Sequence, residues 1–344
     1  MERLQKQIIE EDPTAVSRKR DHITLAFQSQ IAQTDPRFFY EPMLAPHPQR
    51  GSLPPFTFLN KTFKAPIWVS SMTGGTALAR TINQNLARAC KDFGIGMGLG
   101  SCRQLLYNDD HLQDFNVRKI MGDKVPLYAN LGVAQVEKLI AQKETNLIRH
   151  LIDKLHADGL IIHVNPLQEW LQPEGDRFKI APIQTIQTTL QFADYPIIVK
   201  EVGQGFGYES MKALLQLPLA AIDFAAGGGT NFAQLELLRS SPIHQDTYGT
   251  LAHLGHTAEE MTTMTNALLE HLGDKIRCKQ IIISGGVKNF LDGYYYTQKI
   301  KTPAIYGQAS AFLKHAQGTY DDLHPYIDAQ IQGLELAHAF LVPR

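Results

Sequence analysis

From Ala65 onward the chain alternates short apolar runs with longer stretches of helical periodicity, and most of the apolar runs end in polar or glycine-rich turns. The runs that predict strands are 65–71, 94–100, 126–132, 159–165, 196–202, 220–227, 280–286 and 304–310. Several are apolar throughout, the pattern of parallel strands covered on both faces. Between them, apolar residues at helical spacing predict helices over 76–92, 133–157, 183–193, 208–216, 256–272 and 288–299. This many strand–helix repeats closes a parallel sheet on itself, so the expected fold is α/β, a (β/α)8 TIM barrel. Before Ala65 the periodicity is broken by Pro42, Pro46, Pro48, Pro54 and Pro55. That stretch predicts a wrapping segment with one early helix and a hairpin around Gly51. The expected division is residues 1–64 as an N-terminal extension packing on the barrel, and 65–344 as the barrel with a C-terminal helix.

A barrel enzyme places its chemistry in the loops after the C-terminal ends of its strands. Here those ends carry Ser70, Ser71, Thr73 and Gly74, then Ser101 and Arg103, then Asn130. The fourth ends in His163-Val164-Asn165-Pro166-Leu167-Gln168-Glu169 and the fifth in Lys200-Glu201. The sixth, seventh and eighth lead into Gly227 to Thr230, Gly285-Gly286 and Gln308 to Ser310. An Asn-Pro strand end is by itself an ordinary turn, but polar groups at one end of nearly every strand point to an active site there.

Composition narrows the chemistry. The chain has 344 residues, 44% hydrophobic and 19% charged, so it can build a core and is not of the disordered class. A formal net charge of -1 gives no sign of a nucleic-acid partner, so any anionic ligand needs a local cluster of cations. Cys90, Cys102 and Cys278 are an odd number without metal-ligand spacing, and no apolar run reaches membrane-spanning length. The expectation is a reduced cytoplasmic protein with no membrane partner.

Ser284-Gly285-Gly286-Val287-Lys288 and Gly307-Gln308-Ala309-Ser310 follow the seventh and eighth strands, where barrels often bind phosphate. Glycine lets backbone N–H groups approach an anion, and a helix N-terminus adds partial positive charge. Lys200, at the end of the fifth strand, either serves a ligand such as a flavin ring or pairs with a buried carboxylate such as Asp223. Its neighbour Glu201 points to the opposite face of the strand. The early run Ser17-Arg18-Lys19-Arg20-Asp21-His22 is either a solvated helix turn or an anion clamp.

Taken together these motifs resemble the type 2 isopentenyl-diphosphate Δ-isomerases, flavoproteins of (β/α)8 fold. The resemblance runs from Arg18-Lys19-x-Asp21-His22 through Ser71-Met72-Thr73-Gly74-Gly75, Gly100-Ser101-x-Arg103 and Asn130-Leu131-Gly132. It continues through His163-x-Asn165-x-x-Gln168-Glu169, Val199-Lys200-Glu201-Val202-Gly203, Gly228-Gly229-Thr230-Asn231 with Glu236 downstream, and Ser284-Gly285-Gly286. By resemblance, the FMN phosphate sits on Gly285, Gly286, Lys288, Gln308 and Ala309. Met72, Thr73, Ser101, Asn130, Lys200 and Thr230 then surround the rest of the FMN. The resemblance also implies that Arg18, Lys19, His22, Arg103, His163, Asn165 and Gln168 grip the diphosphate of isopentenyl diphosphate, with Glu169 on a magnesium ion. Where much of the family has arginine after Ser-Gly-Gly, this chain has Lys288.

The implied reaction moves a double bond to give dimethylallyl diphosphate, with Gln168, His163 and Glu236 as the catalytic candidates. Gln168 is neutral and Glu236 would need a strongly perturbed pKa to protonate an alkene. Reduced FMN as acid/base, brought to that state by NADPH and with no net redox change, resolves the difficulty in the family. A homotetramer or larger homo-oligomer is implied on the same basis. The alternative reading is an FMN-dependent TIM-barrel oxidoreductase.

Overall fold

A computed structural model describes residues 14–71 and 73–344. The chain divides into two compact units, one ending at Phe39 together with Arg344 and the other Tyr40–Pro343. In the first, helix Ala15–Leu25 buries none of its residues and carries the basic run Arg18-Lys19-Arg20.

The second unit is built on a closed barrel of parallel strands in sequence order. These are β1 (Ile67–Val69), β2 (Gly96–Gly98), β3 (Leu127–Gly132), β4 (Gly159–His163), β5 (Ile197–Lys200), β6 (Ala221–Asp223), β7 (Ile281–Ser284) and β8 (Ala304–Gln308). Each lies inside one of the apolar runs that predicted it, and nearly every strand residue is buried. Burial on both faces is why the strands read as continuous apolar runs rather than as alternating ones. The (β/α)8 expectation therefore holds.

The helices follow the predicted order, with one division. Apolar spacing suggested a single helix over 133–157, but Val133–Gln142 and Asn146–Leu155 are separate. Lys143 adopts a left-handed conformation at φ 61°, and its N–H caps the carbonyls of Leu139 and Ile140. The polar run Gln142 to Asn146 offers no apolar residue to bury, so nothing holds a continuous helix across it. Helices Phe232–Arg239 and Pro242–Tyr248 also form between β6 and β7, beyond those that periodicity showed.

One end of the barrel is stoppered. The hairpin forms from Phe56–Phe58 and Lys61–Phe63 around Leu59-Asn60, not around Gly51. Leu59 and Asn60 take φ of 49° and 59°, the left-handed pair that a two-residue hairpin turn needs. Phe58, Leu59 and Phe63 pack against Trp68, Tyr128, Ile161, Ile198, Ile282 and Ile305 in one buried cluster. Most of those strand residues sit toward the N-terminal ends of their strands, so the hairpin fills the end opposite the loops after the strands. The Leu59 N–H is satisfied by Gln280 Oε1 at 2.8 Å.

At the other end, Glu201 organises the loop after β5. Its Oε2 accepts N–H groups from Gly203 at 2.6 Å, Gln204 at 2.6 Å and Gly205 at 3.0 Å. Burial pushes its carboxyl pKa up, while those three donors and Lys200 oppose the shift. Removing a buried acceptor leaves its donors unpaired, at about 1–3 kcal/mol for each such group. Glu201→Ala is expected to cost about 3 kcal/mol or more in urea unfolding. Glu201→Gln, which keeps an acceptor oxygen, is expected to cost clearly less, and equal costs would show that packing rather than hydrogen bonding is what Glu201 provides.

Candidate active site

Register sets the floor of the site. Pairing of Gly132 with His163, His163 with Lys200 and Lys200 with Asp223 puts four strand-end residues side by side across β3 to β6. Strand alternation then turns Lys200 into the mouth of the barrel and Glu201 away from it. Lys200 is 7% exposed, and its ammonium donates to the Glu201 carbonyl at 2.6 Å. It forms no ion pair within the described residues, so of its two readings the buried pair with Asp223 is not the one seen. Asp223 instead accepts the Ser284 hydroxyl on Oδ1 and leaves Oδ2 without a partner. Burial raises its pKa against the opposing effects of Lys200 and that hydroxyl.

Beside Lys200 opens a cavity of about 430 Å³. Thr230, Gly285, Gly286, Lys288, Gln308 and Ala309 all line it, as does Lys200. Gly285 and Gly286 take φ of 85° and 70°. A Cβ on Gly285 would lie 2.0 Å from the Ala226 carbonyl oxygen, so only glycine fits where the turn packs on the glycine-rich loop after β6. Gln308 Oε1 and the hydroxyls of Ser70 and Ser71, which also line the cavity, are buried without a partner. Unmet polar groups around a concave space are expected where a polar ligand belongs. A backbone turn free of side chains, flanked by lysines, suits a phosphate ester, and the inward lysine suits an electron-rich ring. The residues therefore fit FMN.

Other proposed flavin contacts stand apart from this lining. Asn130 is buried and held by Leu99, while Ser101 is exposed. Thr73 is packed against Gly100 and accepts a hydrogen bond from Asn83 on its carbonyl. Met72 lies outside the described residues.

The short helix Pro166–Leu171 carries the opposite side of the mouth. Asn165 donates to Gln168 Oε1 and to Glu169 Oε1, each at 3.0 Å. Gln168 Nε2 reaches Glu236 Oε1 at 3.4 Å, and the other oxygen of Glu236 takes Arg239 Nη1 at 2.6 Å. Glu236 is 2% exposed and serves Gln168 as an acceptor. The Asn165 Oδ1 atom is buried without a partner.

Asp176 was not singled out by sequence, where Pro173-Glu174-Gly175-Asp176 reads simply as a turn. Its N–H donates to Glu169 Oε2 at 2.7 Å, while its carboxylate takes Arg103 at 3.0 Å and Gln135 at 2.9 Å. Arg103 and Glu169 are thus tied through one residue. Each oxygen of Glu169 has one hydrogen bond and a second lone pair, so the carboxylate can still take a cation. Among the described residues no group of three or more His, Cys, Asp or Glu side chains could hold a metal. Magnesium fits one carboxylate plus phosphate oxygens and needs no such cage. Arg18, Lys19 and His22 are exposed on helix Ala15–Leu25.

His163 is neutral. Asn130 Nδ2 donates to the Leu99 carbonyl at 3.0 Å, which leaves its Oδ1 facing His163 Nδ1 at 2.7 Å. Nδ1 therefore carries the proton and Nε2 is the acceptor. Burial, and then the charge of Lys200, lowers its pKa to about 3.

No family model matches the chain. Among curated relatives, the isopentenyl-diphosphate delta-isomerase of Rickettsia peacockii (strain Rustic) is 34% identical over 332 residues, covering 93% of this chain and 92% of the relative. The protein of the same name from Rickettsia prowazekii (strain Madrid E) is 38% identical over 262 residues, 76% of this chain and 72% of the relative. Among solved structures, a flavocytochrome b2 double mutant with pyruvate bound matches with a TM-score of 0.60 at 13% identity, over 88% of this chain and 72% of that chain. A mandelate oxidase mutant with a monooxide FMN adduct matches with a TM-score of 0.53 at 12% identity, over 90% and 88%. The solved structures share the barrel fold with this chain.

The state of His163 has a measurable consequence. Its folded pKa lies below the ordinary value of about 6.5, so the unfolded chain binds the extra proton first as pH falls. Stability from this group is complete above pH ~6.5 and is lost as pH drops toward its folded pKa. Between pH 7 and pH 5 the loss is about 2 kcal/mol, and His163→Gln should remove that part of the slope in urea unfolding. An imidazole titrating near 6.5 in the folded protein, read by NMR, would overturn the assignment.

Proposed function

The chain belongs to the isopentenyl-diphosphate delta-isomerase family, and we propose that it interconverts isopentenyl diphosphate and dimethylallyl diphosphate using FMN and Mg2+, with no net redox change. The observation that carries this reading is the cavity in which a Ser-Gly-Gly turn and the buried Lys200 face the same space. Reduced FMN, when bound, supplies the proton-transfer group that an unactivated alkene needs.

The protein's own residues do the rest. Gly285, Gly286, Lys288, Gln308 and Ala309 hold the phosphate end. Lys200 adds positive charge that stabilises an anionic reduced ring. Asn165 fixes the Gln168 oxygen and Glu236 fixes its nitrogen, so the Gln168 amide has one orientation. That pinned amide orients the substrate beside the reacting carbons, since it is too weakly acidic to protonate them itself. Arg103 offers a planar fork to the diphosphate once it leaves or shares Asp176. Glu169 would hold a magnesium ion, which would supply positive charge to the diphosphate. A neutral His163 adds no charge to this grip, and its Nε2 can take a proton donor.

Two measurements test the proposal. Purified protein incubated anaerobically with isopentenyl diphosphate, Mg2+ and FMN reduced by NADPH should form dimethylallyl diphosphate without stoichiometric consumption of reductant. Consumption in proportion to product would favour a barrel oxidoreductase, and absence of product with flavin bound would end the isomerase reading. Glu169→Gln should weaken the magnesium dependence of turnover and leave the bound-flavin spectrum nearly unchanged. Loss of flavin in that variant would put Glu169 on the wrong side of the site.

A further inference from the structure

Two lysines besides Lys200 border the cavity that the glycine turn lines. Lys288 follows the turn, and Lys314 projects from helix Ser310–Ala316 after β8. Both residues are exposed, and neither ammonium has a hydrogen-bond or carboxylate partner within the described residues. Elsewhere on the surface many cations are paired, as in Lys301 with Glu270 and Lys154 with Asp109. The Lys288 backbone N–H donates to the Asp292 carboxylate at 2.9 Å. Gln308 lines the same cavity, 3% exposed, with Oε1 unpartnered and Nε2 donating to the Val287 carbonyl at 3.3 Å.

Resting on the FMN reading above, we propose that Lys314 is a phosphate-binding residue that pairs with Lys288 to select the phosphorylated flavin over the unphosphorylated one. A phosphate monoester carries close to two negative charges near neutral pH. Backbone N–H groups of the glycine turn supply dipoles but no net charge. Lys288 alone neutralises half of the phosphate, and as a point charge it makes no bidentate fork. Lys314 brings the second charge from a different element, so the two ammonium groups bracket the anion. A neutral ribityl hydroxyl in place of the phosphate would gain nothing from either lysine.

The test titrates the full-length protein with FMN and with riboflavin, following flavin fluorescence at low and at raised salt. Lys314→Met keeps much of the aliphatic stem and removes the charge. It should weaken FMN binding on the order of tenfold or more, the effect of losing a charged hydrogen bond, and leave riboflavin binding unchanged. Its FMN affinity should also depend less on salt than that of the unmodified protein. Lys314→Arg should restore the preference for FMN. Unchanged FMN affinity in Lys314→Met, with the unmodified protein binding FMN tightly, would overturn the role of Lys314 alone. Equal weakening of FMN and riboflavin would assign the residue to packing and overturn it as well. Failure of the unmodified protein to bind FMN would overturn both this inference and the flavin reading.

Discussion

One buried carboxylate holds the ligand end of the barrel in shape. Glu201 gathers the N–H groups of residues 203 to 205 into a tight loop, and its own carbonyl receives the Lys200 ammonium. That loop is in turn the bed for others. Gly203 lies so near Thr230 that a Cβ there would come within 2.6 Å of the Thr230 oxygen. The Gln204 carbonyl accepts the His256 N–H at 2.8 Å, and the His256 carbonyl accepts the Gly227 N–H at 2.8 Å. Ala226, next to Gly227, donates its N–H to the Ser284 carbonyl at 2.8 Å and packs directly on Gly285. The glycine turn at the cavity is thus set by a nested series of backbone contacts that starts from Glu201. Few of these contacts tolerate an added atom, so the cavity inherits the rigidity of the loops beneath it.

A second ordered system runs along the helix that carries Gln168. Hydrogen bonds pass from Arg103 through Asp176 to Glu169, then through Asn165 to Gln168, Glu236 and Arg239. The neutral amides of Asn165 and Gln168 stand between Glu169 and Glu236, so each of these four side chains is oriented by two neighbours. Preorganisation of this kind lowers the reorganisation needed when an anion arrives. A substitution at Asp176 therefore removes the carboxylate that holds Arg103 and Gln135 while its backbone N–H stays on Glu169.

The barrel was legible because its strands are buried on both faces and each ends where the chain must meet water. Polar residues at those ends marked the mouth, and Lys200, Gly285 and Gln308 were found there. Other features lay below what pattern can show. Leu59-Asn60 makes the hairpin turn although leucine is not a turn residue, because its side chain is wanted in the stopper. Lys143 ends a helix by adopting a left-handed conformation that no spacing rule marks. Lys314 reads in sequence like any exposed helical lysine, and only the closure of the barrel brings it to the cavity that the turn after β7 also lines. The protonation of His163 depends on Asn130 and Lys200, one on each neighbouring strand, and so could not be read from its own stretch.

The stoppered end of the barrel has a bearing on how such a chain can change over time. Because Phe58, Leu59 and Phe63 fill the interior from the side opposite the mouth, the plug's buried cluster is made with strand residues and not with the loops that line the cavity. Alterations in the plug are therefore filtered by whether the protein folds, and alterations in the loops by what it accepts. The two kinds of variation can accumulate separately, which leaves the mouth free to be remodelled on a scaffold whose integrity is secured elsewhere.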